Sequence, residues 1–191
     1  MEKSIYNIVA TEIMAKGWSQ LLRLKVSAAI QGRPPVILDR EVADHGHGAS
    51  ILPVDHVRGT CLLVKQWRVG AAFTGHDGWL IETCAGLLDA DDAIGCATRE
   101  AMEELGVQVH NVRHVSDCFA SPGAFSERLS LYIADYTPQD RVAEGGGLAE
   151  EHEDIEVIEL PLHTAYKMIA TGEIVDAKTI ILLQHAMITK I

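Results

Sequence analysis

The sequence lacks an excess of basic residues, because its 16 lysines and arginines face 27 aspartates and glutamates in 191 residues. The formal net charge is −11, and a surface of that sign repels nucleic-acid phosphates and anionic membranes at long range. We therefore expect no nucleic-acid partner. A phosphorylated ligand needs local cations to bind such a chain, and a divalent metal ion is the obvious candidate.

Paired cysteines and long apolar runs are also absent. The four cysteines include no CxxC pair and no zinc spacing, which favours reduced, mostly buried thiols and a cytoplasmic protein; they are Cys61, Cys84, Cys96 and Cys118. No apolar stretch approaches the roughly 20 residues of a membrane span, so we expect no membrane partner. Residues 1–14 carry an acid at position 2 and no long apolar core, so we do not expect a secretory signal there.

The N-terminal residues alternate in a way that predicts a β-hairpin. Apolar residues recur at every second position from Leu22 to Ala28, a turn follows at Gly32–Pro35, and Val36–Leu38 forms a second apolar run. A two-stranded hairpin alone is marginally stable, so it must pack against the main domain or a partner chain. We therefore predict an N-terminal appendage over residues 1–45, serving dimerisation and substrate contact, and a main domain over 46–191.

The main domain combines strand and helix patterns. One strong helix is predicted over 93–105, with Asp91 or Asp92 as its N-cap and Gly106 as its C-terminal glycine. Two more helices are predicted over 162–171 and 177–190. Six strands are predicted, over 49–54, 61–67, 79–84, 112–118, 129–136 and 156–160. Strands with inserted and appended helices indicate an α+β fold, arranged as an α/β/α sandwich.

The helix over 93–105 carries a cluster of acids. Glu100 and Glu104 lie four residues apart and share one face, with Glu103 beside them, and Arg99 can pair with Glu103 one turn on. Carboxylates that face one way suit hard cations such as Mg²⁺ or Mn²⁺. A solvated acidic helix face is the ordinary alternative. The preceding glycine-containing loop and the adjacent Arg99 and Glu100 weaken that alternative.

These residues carry a family resemblance. The pattern R-E-x-x-E-E-x-G, from Arg99 to Gly106, resembles the signature of the Nudix hydrolases, which cleave nucleoside diphosphates linked to another moiety. The usual pattern begins with glycine, whereas counting back from Arg99 places Ala85 at the first position and Asp91 at the seventh. The glutamates of the helix are intact, so the departure concerns the loop more than metal binding.

A closer resemblance covers nearly the whole chain. The segments 82–89, 121–123, 145–147, 153–157 and 171–174 are similar to the GDP-mannose pyrophosphatase branch of the family, itself similar to the ADP-ribose pyrophosphatases. That branch implies a Nudix-type sandwich and a homodimer with shared active sites. It also implies metal-dependent hydrolysis of a nucleoside diphosphate sugar to a nucleoside monophosphate and a sugar phosphate, with GDP-mannose as the expected substrate.

The resemblance implies roles for individual residues. The metal ligands would be the Ala85 carbonyl, Glu100, Glu104 and Glu153, with Mg²⁺ as the metal and Mn²⁺ as a substitute. The catalytic group would comprise Arg99, Glu103 and Glu153, with Asp154 as the alternative to Glu153. Substrate contacts are implied at Trp18, Arg40, Glu41, Arg68, Gly86, Leu87, Glu127 and Lys178, of which Trp18 would stack on the base from the partner subunit.

The sequence is also compatible with two other functions. One is an ADP-ribose pyrophosphatase, and the other is a non-catalytic Nudix domain that senses a nucleotide. The intact acid set argues against the sensor. Among other motifs, Gly145–Gly147 lacks the lysine of a P-loop and is predicted to be a hinge, and His45 and His47 are predicted to form a polar turn.

Overall fold

The computed structural model describes residues 5–88, 92–148 and 154–189. Its contacts divide the chain into two units. The first comprises residues 1–47 together with 119–128, and the second comprises residues 48–118 and 129–191. The first unit thus includes a segment from the middle of the chain in addition to the N-terminal appendage expected from sequence.

The first unit is built on a three-stranded antiparallel sheet in the order β1-β2-β3. The strands are β1 (Ile5–Lys16), β2 (Gln20–Ala29) and β3 (Val36–Asp44). β2 and β3 pair from Gln20–Asp44 to Ala28–Val36, across a turn in which Gly32 has a φ of 73°. The predicted hairpin is confirmed, and its strands are longer than the alternation indicated.

β1 is a third strand that the sequence pattern did not predict. Its register against β2 shifts between Ile8 and Ala10 and again between Ile13 and Ala15. Each β-bulge adds a residue and so breaks the period of two on which strand prediction depends. All twelve residues of β1 are exposed, including apolar ones on both faces of the strand, namely Ile5, Tyr6, Ile8, Val9, Ile13 and Met14.

The second unit is built on a seven-stranded mixed sheet. Five strands lie in the order β10-β5-β4-β9-β8, with β6 paired to β5 and β7 paired to β4. Of the pairs β5–β10, β4–β5, β4–β7, β4–β9 and β5–β6, only β4–β9 is parallel. The strands are β4 (Gly48–Asp55), β5 (Thr60–Trp67), β6 (Trp79–Glu82), β7 (Cys84–Leu87), β8 (His110–Phe119), β9 (Arg128–Asp135) and β10 (Ile155–Pro161).

Helices cover both faces of this sheet. Side chains at alternate positions of β4, β5 and β9 enter two separate cores, because successive residues of a strand point to opposite faces. Ile51 joins the core beneath α2 (Ala93–Leu105), whereas Leu52 joins the core beneath α3 (Leu162–Thr171) and α4 (Ala177–Thr189). The predicted α/β/α sandwich and its three helices are confirmed. No described helix has both the length and the apolarity to cross a membrane.

Within the second unit, the main difference from the predicted elements lies at Thr83. A single strand was predicted over 79–84, but the structure has β6 and β7 on either side of Thr83. The Thr83 amide donates to Thr179 Oγ1 at 2.7 Å, and the Thr83 hydroxyl lies 2.9 Å from Ser50 Oγ. These side-chain bonds replace the strand ladder locally. A five-residue helix, α1 (Val69–Phe73), is too short for its periodicity to be predicted.

A charged network around the buried carboxylate of Asp55 closes the turn between β4 and β5. Asp55, which is 2% exposed, accepts from Arg58 Nε at 2.6 Å and from two backbone amides. Arg58 also pairs with Glu159, which accepts from Tyr136 Oη at 2.8 Å. The hydrogen bonds from the Arg58 side chain and the backbone hold the pKa of Asp55 below its ordinary value.

This network predicts acid sensitivity of the second unit. Because the folded pKa of Asp55 is lowered, its stabilising contribution is complete above about pH 4 and is lost as pH falls further. Asp55→Asn should lower the free energy of unfolding by about 2 kcal/mol at neutral pH, since it removes a charge-assisted hydrogen bond. It should also flatten the acid limb of the stability curve, measured by urea unfolding between pH 2 and 7.

Glu156→Gln is the matched control, because Glu156 forms an exposed pair with Lys65 at 3.8 Å in the same sheet. It should change stability by less than about 0.5 kcal/mol. Equal stabilities of Asp55→Asn and Glu156→Gln would contradict the role assigned to the network.

Candidate active site

α2 is fixed at its N-terminus by the residue predicted to cap it. The Asp92 side chain accepts from the Gly95 amide at 2.7 Å, so the Asp92 alternative holds and Asp91 lies outside the described residues. The helix ends at Gly106, which adopts the left-handed conformation with a φ of 66°. These two ends set the bounds of the helix.

The predicted pair of carboxylates lies on the packed face of α2. Glu100 and Glu104 are 9% and 2% exposed, and they share the buried stripe with Ala97 and Ala101. A helical period of 3.6 residues assigns Ile94, Ala97, Ala101 and Leu105 to an apolar face that is distinct from the face of the acids. In the structure, Ile94 is 49% exposed. The sheet therefore covers the two acids as well as the apolar residues.

β7 leaves room for one of these acids, Glu100, because Gly86 has no side chain. A Cβ atom built on Gly86 would lie 1.9 Å from Glu100 Oε1, so the carboxylate occupies the volume that any other residue would fill. The Cys96 thiol lies 3.6 Å from the Gly86 carbonyl oxygen and 3.3 Å from that of Leu87. Two predicted substrate-contact residues, Gly86 and Leu87, thus belong to the backbone that packs against α2.

Arg99 links the acids along the helix. Its guanidinium lies 2.7 Å from Glu103 Oε2, which confirms the predicted pairing one turn on, and 3.0 Å from Glu100 Oε1. Arg99 and Glu103 are half-buried, with side chains 36% and 25% exposed. The arginine therefore offsets the repulsion among the clustered carboxylates.

The glycine run packs against the C-terminal end of α2. Gly145, Gly146 and Gly147 all have positive φ angles, of 75°, 106° and 79°. The Gly146 amide donates to the Glu104 carbonyl at 2.8 Å, and the Gly147 amide donates to the Glu103 carbonyl at 3.1 Å. The run thus satisfies carbonyls at the helix end, a structural role that the predicted hinge did not include.

Two predicted substrate-contact cations, Arg68 and Lys178, both contact the buried carboxylate of Glu82. Burial acts most strongly and lowers the pKa of Arg68, but the hydrogen bond to Glu82 and the charges of Glu82, Glu104 and Asp176 together outweigh it, so the pKa is raised. Glu104 is thus electrostatically coupled to Arg68. The sequence did not single out Glu82, because nothing in the residues around it indicates that its carboxylate is buried against two cations.

The charges of this region also act on the Cys84 thiol. Burial raises the pKa of Cys84 well above its ordinary value, and the carboxylates of Glu104 and Glu100 raise it further. A thiol so affected stays protonated and is a poor nucleophile. All four cysteines are free thiols, three of them buried, as expected from sequence. The chemistry of the site therefore depends on carboxylates and cations.

The other predicted substrate contacts lie in the first unit. The Trp18 ring stacks on His45 with centroids 5.0 Å apart, and Trp18 remains 80% exposed. His45 Nε2 lies 3.3 Å from Glu127 Oε1, so one histidine joins two predicted contact residues. Arg40 and Glu41 are exposed on β3, where Arg40 donates to the Asp39 carbonyl at 2.8 Å. His45 therefore does more than form a polar turn.

The donors present fit a divalent metal ion in chemical type. Glu100 and Glu104 supply buried carboxylate oxygens, and Gly86 leaves the space in which one of them lies. Within the described ranges, no group of three or more His, Cys, Asp or Glu side chains is arranged to hold a metal ion. Ala85 lies on β7 beside Gly86, whereas Glu153 lies outside the described residues.

Comparison with known proteins assigns the family. Residues 44–183 match the NUDIX domain family. The chain belongs to the Nudix family. It is 41% identical over 180 residues to a GDP-mannose pyrophosphatase of Klebsiella pneumoniae, covering 94% of this chain and 90% of that protein. It is 42% identical over 189 residues to one of Yersinia enterocolitica, covering 98% and 97%, and 40% identical to one of Yersinia pestis, covering 98% and 94%.

The match gives the geometry of the second unit a family context. The Nudix range includes α2, β7 and the glycine run, so the helix that carries the buried carboxylates, called the Nudix helix below, lies inside the matched range. It also includes Arg68, Glu82 and Lys178. It begins at Asp44, so nearly the whole three-stranded sheet of the first unit precedes it. The relatives from both genera nevertheless align with almost the full chain.

The contact between Gly86 and Glu100 predicts the effect of a single methyl group. If Glu100 is a metal ligand, Gly86→Ala should displace the end of its side chain and lower the affinity for Mn²⁺ by about 10- to 100-fold, measured by calorimetry. Gly70→Ala is the control, because a Cβ atom there meets nothing within 4 Å. Unchanged Mn²⁺ affinity in a folded Gly86→Ala variant would show that Glu100 does not bind the metal.

Proposed function

We propose that this protein hydrolyses the pyrophosphate of a nucleoside diphosphate sugar, namely GDP-mannose, to GMP and mannose 1-phosphate. The observation that carries the proposal is the identity of about 40% to GDP-mannose pyrophosphatases over nearly the whole of both chains. The buried acids of the Nudix helix and the nearby cations Arg68 and Lys178 support it, because they suit a negatively charged diphosphate and its metal ion.

The residues of the second unit have distinct tasks in this proposal. Arg68 binds phosphate oxygens through its planar guanidinium, and Lys178 contributes a point charge. Glu100, Glu104 and the Ala85 carbonyl hold the divalent metal, Mg²⁺ with Mn²⁺ as a substitute. When bound, such a metal neutralises phosphate oxygens and lowers the pKa of a coordinated water. Glu153, from outside the described residues, is proposed to complete the ligands or to orient the attacking water.

Arg99 and Glu103, which the resemblance assigns to the catalytic group, are proposed to position the carboxylates that bind the metal. Arg99 contacts both Glu100 and Glu103, so it limits the rotamers of Glu100. Phosphoryl-type transfer leaves a protein mainly positioning and charge stabilisation to supply. Fixed carboxylates next to fixed cations provide both.

The first unit is proposed to recognise the base and sugar. The exposed ring of Trp18 offers a face for stacking, and Glu127, held near His45, offers carboxylate oxygens to N–H or O–H groups. Arg40 and Glu41 add charges of both signs on the exposed part of β3. We propose that these residues act on the substrate held by a partner subunit.

A homodimer is proposed on the basis of β1. Six large apolar residues of this strand are 38% to 64% exposed, and they lie on both of its faces. A second copy would cover them, and isologous contact between identical strands generates a closed dimer. A cytoplasmic location is proposed from the four free thiols, which suit a reducing compartment.

A hydrolysis screen with product identification tests the function. The full-length protein with Mg²⁺ should release GMP and mannose 1-phosphate from GDP-mannose, at a higher kcat/KM than for ADP-ribose, UDP-glucose or dinucleoside polyphosphates. Preferred cleavage of ADP-ribose would make the protein an ADP-ribose pyrophosphatase. Nucleotide binding with no cleavage of any substrate would make it a sensor.

The metal assignment predicts the effect of one substitution. Glu104→Gln keeps the size of the side chain but removes a ligand charge, so kcat should fall about 10³-fold or more with little change in thermal stability. EDTA should abolish the activity of the wild type, and added Mg²⁺ or Mn²⁺ should restore it. Near-normal turnover of Glu104→Gln, or of the EDTA-treated protein, would overturn the assignment; Glu156→Gln serves as the control.

Shared sites predict complementation between two inactive chains. An Arg40→Ala chain mixed with a Glu104→Gln chain forms some dimers in which one site carries both lesions and the other carries neither. With random exchange at equal concentrations, about a quarter of the wild-type activity should return. If mass spectrometry shows mixed dimers whose activity does not exceed that of the separate variants, each chain builds its own site.

A further inference from the structure

Glu82 is a buried carboxylate in the second unit with two cations on one oxygen atom. It is the last residue of β6 and is 2% exposed. Arg68 donates to its Oε2 atom from Nη2 at 2.6 Å and from Nε at 3.0 Å, and Lys178 Nζ lies 3.3 Å from the same atom. Because both cations contact one oxygen, their charged ends are held side by side.

The two cations would not adopt this arrangement without a carboxylate between them. Two cations that contact the same oxygen atom repel each other, and they do so more strongly next to a buried sheet than in water. The Lys178 side chain is only 11% exposed, so its charge needs a partner, whereas the Arg68 side chain is 38% exposed and is able to extend into solvent. Asp176 Oδ1 contacts Lys178 at 3.0 Å, so two carboxylates balance two cations.

Buried hydrogen bonds fix the position of Glu82 relative to Lys178. The neighbouring Thr83 donates its amide to Thr179 Oγ1 at 2.7 Å, and Thr179 donates its hydroxyl to Asp176 Oδ2 at 2.6 Å. Thr83 and Thr179 are both 0% exposed. The end of β6 is thereby tied to the first turn of α4, which carries Lys178.

We propose that Glu82 is a positioning residue that holds Arg68 and Lys178 as a preformed pair of cations for the diphosphate of the substrate. The proposal rests on the proposed function. Glu82 does not itself suit contact with phosphate, because an ionised carboxylate only accepts hydrogen bonds and repels anions. Its charge acts through the two cations, by setting where they are before the substrate arrives.

Removing the charge has two opposing effects. Glu82→Gln leaves more net positive charge near the phosphates, which favours ground-state binding of an anion. It also frees Arg68 to leave its place, which removes orientation that the transition state requires. A misplacement of about 1 Å costs as much as 10²-fold in rate. We therefore expect kcat to fall about 30-fold, while KM changes less than about threefold.

Kinetics on the full-length protein with Mg²⁺ and GDP-mannose test the proposal. The variants are Glu82→Gln, the double variant Arg68→Ala/Lys178→Ala and the triple variant that combines them. If Glu82 acts only through the two cations, the triple variant should match the double variant within about threefold. A further 30-fold loss in the triple variant, or wild-type kcat in Glu82→Gln, would overturn the proposal.

Two further variants keep this test decisive. Glu82→Asp retains the charge on a shorter side chain and should have a kcat between those of the wild type and Glu82→Gln; if Glu82→Gln does not fold, the same cycle is run with Glu82→Asp. Glu156→Gln removes an exposed carboxylate from the same sheet and should leave kcat and KM unchanged. A loss in Glu156→Gln equal to that in Glu82→Gln would make the effect nonspecific and contradict the proposal.

A measurement without substrate separates this proposal from the proposed function. In nuclear magnetic resonance spectra, the Nε–H of Arg68 should exchange slowly with water in the wild type and at least tenfold faster in Glu82→Gln. If no nucleoside diphosphate sugar is cleaved by the wild type, the proposed function fails, and this exchange still reports whether Glu82 holds Arg68. Equal exchange in both proteins would overturn the positioning role.

Discussion

The burial of Glu100 and Glu104 on the packed face of α2 is the constraint on which the rest of the second unit depends. A carboxylate removed from water needs compensating charge or hydrogen bonds, and without them it destabilises the fold by several kcal/mol. Arg99 lies against one of the two acids, and Arg68 is coupled to the other. Gly86 supplies the space. Arg99, Arg68 and Gly86 thus allow two carboxylates to lie on a packed helix face, where apolar side chains are usual.

Much of this could be predicted from the sequence because the determining signals are local. The Nudix helix has a side-chain cap, a terminal glycine and a period of 3.6 residues, so its bounds from Ala93 to Leu105 follow from neighbouring residues. The strands of the sandwich reveal themselves by apolar character and length. The acids at 100 and 104 share a face for the same geometric reason, whether that face is exposed or buried.

The remainder depends on contacts between residues distant in the chain. Glu82 matters because α4 brings Lys178 to it, and no pattern around position 82 encodes that approach. The requirement for glycine at position 86 arises from where the Glu100 side chain points. The glycine run resembles a hinge in sequence, and its role at the end of α2 emerges only when the carbonyls of Glu103 and Glu104 are located. Local signals specify elements, whereas tertiary contacts specify the site.

The two bulges of β1 have a consequence for solubility. An edge strand with exposed apolar residues is a template to which further strands can add without limit, as in fibrils. The register shifts after Ile8 and after Ile13 interrupt the even spacing of its amide and carbonyl groups. An incoming strand can therefore match only short stretches of this edge at a time. The register shifts that break the period of two in β1 thus also disfavour continuous addition of strands at this edge.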